Sequence, residues 1–330
     1  MQQKKVIVVA TGGTIAMKYD EASQGLIPAC PGEDLAAAVP GIDKLAQLEF
    51  CQFSNIASPG MTPDDMWRLH LKCEEFLARE DVTGVVVTHG TDTLEETSYF
   101  LDITKISEKP IVTTAAMRGA GDTSPDGPWN IYCSVKTAAS EEAVGMGVLV
   151  CLNETLHAPG EVTKTHSANP ATFQSPWWGP VGYVDLDKIV FRRKTLGVKR
   201  FHPEALTARV DLIKAMTGSD REYIDFAVAR GCKGIVLEGF GRGNLPPPMI
   251  PGVEEAVKKG VAVILTTRTL GGRVLDVYGY PGSVTDSRRV GIAAAGEISA
   301  AKARLKLMVV LSEHPEYATN RNKLEEIFDI

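Results

Sequence analysis

Within its 330 residues the sequence has no apolar stretch of the ~20 residues needed to cross a bilayer. It has no Cys-x-x-Cys pair and no Cys/His spacing suited to zinc. The six cysteines (Cys30, Cys51, Cys73, Cys133, Cys151 and Cys232) are scattered. Most read as small buried apolar groups, so neither a disulfide nor a metal site is expected. The dinucleotide fingerprint Gly-x-Gly-x-x-Gly is absent, and so is the P-loop Gly-Lys-Ser/Thr, which removes the main nucleotide-binding signatures. Internal repeats and low-complexity segments are missing too. Basic charge is not in excess: the formal net charge of -6 argues against a nucleic-acid-binding surface. The local cluster Arg192-Arg193-Lys194 with Lys199-Arg200 reads as a solvated face. Lys4-Lys5 precede the apolar run Val6–Ala10, but that run is too short for a secretory signal and enters a glycine turn. The expectation is a cytoplasmic protein with no membrane or nucleic-acid partner.

What is present is an ordinary folded composition, 44% hydrophobic and 23% charged, in a chain too long for one ordinary core. Short β-branched runs at 5–10, 48–54, 83–88, 110–114 and 147–152 alternate with helical patterns at 62–79, 93–105 and 128–143. Several runs are nearly all apolar, as strands covered on both faces by helices are. In the first helix Thr62 can cap, Pro63 sits in the first turn, and Met66, Leu69, Cys73, Phe76 and Leu77 recur on one face. Residues 153–183 read as loop, 181–192 as a ribbon of short strands, and 193–208 as a linker. A second cycle follows, with strands at 209–215, 234–237 and 261–265, helices at 219–230 and 251–259, and a long terminal helix at 299–313. The pattern predicts α/β architecture: a doubly wound parallel-sheet N-terminal domain (1–192), a linker (193–208) and a smaller α/β C-terminal domain (209–330).

Ligands of open parallel sheets bind beyond the carboxyl ends of the strands. Two strands end in polar, glycine-containing turns: Ala10-Thr11-Gly12-Gly13-Thr14 and Thr88-His89-Gly90-Thr91-Asp92-Thr93. Glycines allow close backbone approach, helix-start amides can stabilise an oxyanion, and a threonine hydroxyl becomes a nucleophile once a base takes its proton. By itself the first turn reads equally as a phosphate-binding loop. The second reads also as a structural cap, with Asp92 satisfying helix amides.

Both turns resemble the signature motifs of the bacterial-type L-asparaginases and glutaminases, at that family's spacing. The resemblance continues through Ala116-Met117-Arg118, Asp126-Gly127-Pro128-Trp129-Asn130, Val162-Thr163-Lys164-Thr165, Phe173-Gln174-Ser175-Pro176 and Gly241-Arg242-Gly243-Asn244-Leu245. It implies that Thr14 attacks a side-chain amide carbon, giving an acyl-enzyme and ammonia. Thr91, Asp92 and Lys164 would form a second array that moves protons, which requires Lys164 to act as a base; the plainer alternative is a salt bridge from Lys164 to Asp92. No cofactor is implied. Substrate contacts would come from Ser58 and Pro59, where the family carries a Ser-Gln, Ser-Glu or Ser-Ser pair for the α-carboxylate, and from Asp92 for the α-ammonium. Asn244 would support the site across a subunit interface, in a homodimer or homotetramer.

Three departures stand out. Pro59 lacks both a donor side chain and an N–H. Leu26, in Gln24-Gly25-Leu26-Ile27-Pro28, takes the position of the family's flap tyrosine, so that either Tyr19 in the same loop supplies the hydroxyl or deprotonation relies on Thr91 and Lys164 alone. No glutamate stands at Val284–Asp286, where the family places a second amine partner; Asp286 is the candidate stand-in. These changes suggest a less charged or derivatised amide beside the default substrate, asparagine, with Trp177-Trp178 either lining the pocket or packing at a subunit interface. Two other readings remain: a non-catalytic ligand-binding protein on the same scaffold, and the amidase subunit of a tRNA-dependent amidotransferase. The latter usually carries an extra N-terminal domain, whereas this chain enters its first strand at Val6, and its acidic charge disfavours tRNA.

Overall fold

The structure is a computed structural model describing residues 4–13, 15, 39–196 and 198–329, together with the backbone of 17–20 and 25–28. The chain forms two compact units, Met1–Arg200 and Phe201–Ile330.

In the first unit the strands are β1 (Lys5–Gly12), β2 (Met17–Asp20), β3 (Gly25–Pro28), β4 (Gln47–Ile56), β5 (Gly84–Thr88), β6 (Ile111–Thr114), β7 (Val148–Leu152), β8 (Thr155–His157), β9 (Thr163–Lys164), β10 (Phe173–Gln174), β11 (Gly182–Val184) and β12 (Ile189–Phe191). The helices are α1 (Pro63–Leu77), α2 (Leu94–Thr104) and α3 (Gly127–Ala138). Among the described residues the main sheet runs β12-β11-β8-β7-β6-β5-β1-β4. It is parallel from β4 through β7 and antiparallel from β7 onward. The period of two along β1 splits the core: Val6 and Val8 pack with Ile131, Cys133 and Val135 of α3, while Ile7 and Val9 pack with Leu69, Cys73, Phe76 and Leu77 of α1. Strands β1 and β5 are therefore covered on both faces, which is why β5 reads as an unbroken apolar run.

Helix α1 begins as expected. The Thr62 hydroxyl accepts the Asp65 N–H at 3.1 Å and the Asp65 carboxylate accepts the Thr62 N–H, a reciprocal capping box with Pro63 inside it. The loop expected over 153–183 contains more structure than its sequence showed. Asn153 and Glu154 both take positive φ (48° and 65°) and close a tight β7–β8 hairpin without a glycine. The helix expected to reach 143 stops at Ala138 and is followed by a short 3₁₀ turn, Glu141–Ala143.

The second unit contains β13 (Val210–Lys214), β14 (Gly234–Gly239), β15 (Ala262–Thr267) and β16 (Ala293–Ala294), all parallel and in sequence order. Its helices are α4 (Glu222–Ala229), α5 (Ile250–Lys258), α6 (Val284–Arg289), α7 (Ala300–Glu313) and α8 (Arg321–Phe328). The helix expected at the terminus, α7, packs on β13 and β14 but is not the last: α8 follows and covers β16. No helix among the described residues is long and apolar enough to cross a membrane.

Candidate active site

The strand order fixes where a site belongs. The chain passes from β1 to β4 on one side, then crosses back to β5, β6 and β7 on the other. The order reverses between β1 and β5, and in doubly wound sheets the crevice beyond the carboxyl ends at such a reversal is the ligand site. Both threonine motifs leave their strands there, since Ala10 pairs with Thr88.

The two turns are locked together by backbone contact. Gly12 and Gly13 have φ of 111° and 84°, a region other residues rarely enter. A Cβ on Gly13 would sit 2.4 Å from Gly90 Cα, and one on Gly90 would sit 2.7 Å from the Ser58 hydroxyl oxygen. The Thr11 hydroxyl donates to Thr88 O at 2.9 Å, and the Ser54 hydroxyl donates to Thr11 O at 2.9 Å. The Thr93 hydroxyl donates to Ser58 O at 2.8 Å, while the Ser58 hydroxyl accepts the Asp92 N–H at 3.2 Å. Thr11 and Thr93 are thus committed to holding the turns. Ser58 is buried against the second motif and keeps its own hydroxyl proton for another acceptor.

Thr91 has a different partner. Lys164 Nζ, on the two-residue strand β9, donates to Thr91 Oγ1 at 2.9 Å and to Asp92 Oδ1 at 2.7 Å. Three residues implicated from two separate stretches of sequence therefore meet, and the salt bridge and the threonine contact are both made. The Asp92 side chain is 58% exposed against 17% for Lys164, so the carboxylate is open to an incoming ligand. Lys164 is held by β10, where Phe173 is its cross-strand partner, and Val162 and Phe173 pack on Leu94 at the start of α2.

Two other matched segments meet at the end of β6. The Asp126 carboxylate accepts the N–H groups of Met117 and Arg118 at 3.1 and 2.9 Å, and Asn130 donates to Ala115 O at 3.0 Å. Ile15 is buried and packs beside Gly127, near Ala116 and Ile131.

Thr14, the expected nucleophile, lies outside the described residues, as do the side chains of Tyr19 and Leu26. The backbones of Tyr19 and Leu26 are described: β2 and β3 pair antiparallel in a register that sets Tyr19 opposite Leu26. Pro59 lies in a 3₁₀ turn, Ser58–Gly60, directly after the end of β4. Asn244 belongs to the second unit, in the turn after β14, where its backbone bridges Phe240 and its side-chain oxygen is buried with no hydrogen-bond partner among the described residues. Asp286 is engaged locally: one oxygen accepts the Gly282 N–H at 2.9 Å and the other meets Arg289 at 2.7 Å within the cap of α6. That local use argues against Asp286 as an amine partner.

His89, the most chemically suggestive residue of the second motif, is part of the frame. Its Nδ1 lies 2.8 Å from Gly90 O and must carry the proton, so Nε2 accepts the Thr97 hydroxyl at 3.1 Å. Burial pushes its pKa down to about 4 against the hydrogen bond to Gly90, which raises it. Burial, helped by Arg193, does the same to His157, also to about 4.

Unfolded histidines titrate near ~6.5, so below that pH the unfolded chain takes up protons first. The stability these two contribute is complete above that value and is lost as pH falls toward about 4, roughly 3 kcal/mol each. Asp102 works the other way. Burial raises its pKa to about 6, so the cost of its ionised form is relieved as pH falls through that value. The net expectation is a protein roughly 3 kcal/mol less stable near pH ~4.5 than near pH ~7.5. Urea unfolding midpoints that do not move between those conditions would contradict it.

The same positions carry a family match. The family described as "Asparaginase, N-terminal" matches residues 5–196, and "Glutaminase/Asparaginase C-terminal domain" matches residues 209–328. The chain belongs to the asparaginase family. An L-asparaginase of Bacillus licheniformis is 34% identical over 313 residues, spanning 95% of this chain and 97% of that protein. A glutaminase-asparaginase of Pseudomonas fluorescens biotype A is 33% identical across 93% of this chain and 86% of its own length. The crystal structure of a "Probable Cytoplasmic L-asparaginase" from Campylobacter jejuni superposes with a TM-score of 0.87 at 33% identity, covering 99% of both chains. The α/β architecture of the family is the one built here by the switch between β1 and β5.

Proposed function

We propose that this chain is an amidohydrolase of the L-asparaginase type, converting asparagine to aspartate and ammonia through a threonyl acyl-enzyme. The observation that carries the reading is the Lys164 ammonium nitrogen within hydrogen-bond reach of both Thr91 and Asp92, beside the glycine turn that leads into Thr14. Thr14 Oγ would attack the side-chain amide carbon, with backbone N–H groups of the two turns receiving the developing oxyanion. The tetrahedral intermediate collapses with loss of ammonia, which takes up the hydroxyl proton, and an ester to Thr14 remains. Water then attacks that ester, passing a proton through Thr91 to Lys164 in its neutral amine form, and Lys164 returns that proton to the departing Thr14 oxygen as the acid is released. The Asp92 oxygen not used by Lys164 has no partner among the described residues, and it suits the α-ammonium of a free amino-acid substrate.

A second reading keeps this chemistry and changes the amide. Pro59 offers the substrate no donor from side chain or backbone, which favours a less charged or derivatised asparagine. Ammonia release from asparagine, glutamine and a panel of N-substituted and uncharged amides separates the two. Free asparagine is expected to give the highest kcat/KM, because Asp92 remains open. Preference for an uncharged amide by tenfold or more selects the second reading, and no turnover of any amide by folded protein overturns both. Tight binding without hydrolysis, seen by calorimetry, would indicate a binding protein.

A cytoplasmic location is the one we propose, supported by the similar Campylobacter jejuni protein that is named "Probable Cytoplasmic L-asparaginase". We also propose a homodimer or homotetramer, with Asn244 of one copy supporting the site of another; its buried side-chain oxygen, without a hydrogen-bond partner among the described residues, is consistent with a role beyond its own turn.

A further inference from the structure

Lys164 is gripped at both ends by one short segment of chain. Its Nζ meets Thr91 and Asp92, and its backbone N–H donates to Glu95 Oε2 at 2.7 Å. Glu95 lies in the first turn of α2, three residues beyond Asp92. A carboxylate in a first helical turn ordinarily serves the helix dipole, and this turn carries two, Glu95 and Glu96. Glu95 instead reaches across 69 residues of sequence to a main-chain N–H. That N–H belongs to the short ribbon β9–β10, whose own hydrogen bonds, continued by the Thr165 N–H to Thr172 O at 2.9 Å and the His166 N–H to the Thr172 hydroxyl at 2.7 Å, join its two arms to each other and not to α2. Apolar packing of Val162 and Phe173 on Leu94 keeps the ribbon near α2 but is non-directional. The directional bond to Glu95 ties the Lys164 main chain to the segment that carries Thr91, because Glu95 and Thr91 belong to one turn and helix start.

We infer that Glu95 is a positioning residue. Its carboxylate docks the Lys164 main chain onto the first turn of α2, so that the Lys164 amine stays within proton-transfer distance of Thr91. The inference rests on the proton-handling role proposed for Lys164. It concerns geometry, not charge, so a neutral acceptor of the same length should replace the carboxylate.

The test compares Glu95→Ala and Glu95→Gln with the parent in asparagine hydrolysis, thermal unfolding and amide hydrogen exchange at Lys164. Glu95→Ala is expected to lower kcat by about 30- to 100-fold, the scale of a 1 Å misplacement, with KM changed less than about threefold. The Lys164 amide should lose exchange protection in Glu95→Ala and keep it in Glu95→Gln. Glu95→Gln should recover kcat to within about threefold, since its amide oxygen accepts the same N–H. Unchanged Lys164 exchange in Glu95→Ala overturns the inference even if the enzyme reading fails. So does a Glu95→Gln variant as slow as Glu95→Ala, which would show that charge is what matters. Lys164→Met run in parallel separates the layers: full turnover there defeats the role given to Lys164, whereas its loss alongside an unaffected Glu95→Ala defeats only the role of Glu95.

Discussion

Replacing Lys164 by methionine should lower kcat for ammonia release about a thousandfold or more while the protein remains folded. The magnitude is that of a proton-transfer group withdrawn from a reaction it serves, about 10²- to 10⁴-fold. Stability should change little. The partner carboxylate, Asp92, is 58% exposed and regains water when the ammonium leaves, and pairs of that kind contribute about 0–1 kcal/mol. KM should change much less than kcat, because the Asp92 oxygen left for an α-ammonium is not the one bonded to Lys164.

Lys164→Arg sharpens the test. It preserves a cation beside Asp92, but a guanidinium does not give up its proton in a protein. If Lys164 were only one half of a salt bridge, the arginine variant would keep most of its activity. If Lys164 exchanges a proton with Thr91, arginine should be nearly as inactive as methionine. Thermal unfolding of both variants alongside the steady-state kinetics keeps misfolding from being read as lost chemistry. Turnover within tenfold of the parent in both variants would falsify the proton role and leave the ion pair as the whole account.

The sequence announced the frame of this site better than its working contacts. Strands β1 and β5 are legible because burial on both faces demands unbroken β-branched runs, and α1 because its cap, its proline and its apolar stripe agree. The hairpin at Asn153-Glu154 was not legible: it places two non-glycine residues at positive φ, where the usual Asn-Gly signal is missing. Strands β9 and β10 are two residues each, shorter than any period can register. Thr91, Asp92 and Lys164 could be named from motifs, yet their meeting depends on a return of the chain 72 and 73 residues later that no local pattern encodes. Glu95 went unnoticed because an acid in a first helical turn is the commonest thing to find there. His89 drew attention by its chemistry, and only the hydrogen bonds to Gly90 and Thr97 reveal a fixed tautomer serving the turn. Asp286, suggested by its place in the chain, is taken up by the cap of α6. The common cause is that sequence patterns report local conformation and burial, whereas a catalytic contact is made by side chains whose separation is set by the sheet order.

Gly13→Ala is expected to be among the most damaging small substitutions in the first unit, costing about 3–5 kcal/mol of stability and nearly all activity. Two effects add. At φ of 84° an alanine pays the left-handed penalty of about 1–2 kcal/mol. Its methyl carbon would also lie 2.4 Å from Gly90 Cα and N and 2.7 Å from His89 C, all backbone atoms that cannot rotate away. Relief requires the two motif turns to separate. That motion strains the Thr11–Thr88 hydrogen bond and moves Gly90, and with it Thr91, away from the turn that leads into Thr14. Gly41 provides the control. Its φ is 74°, but nothing lies within 4 Å of a Cβ built there, so Gly41→Ala should show only the conformational part, about 1 kcal/mol, with activity intact. The comparison by denaturant unfolding and ammonia release therefore isolates contact between the turns from backbone strain. Equal losses at Gly13 and Gly41 would mean that the close approach of the motifs adds nothing. A large loss at Gly13 alone would mean that the catalytic geometry depends on two glycine turns meeting with no side chain between them.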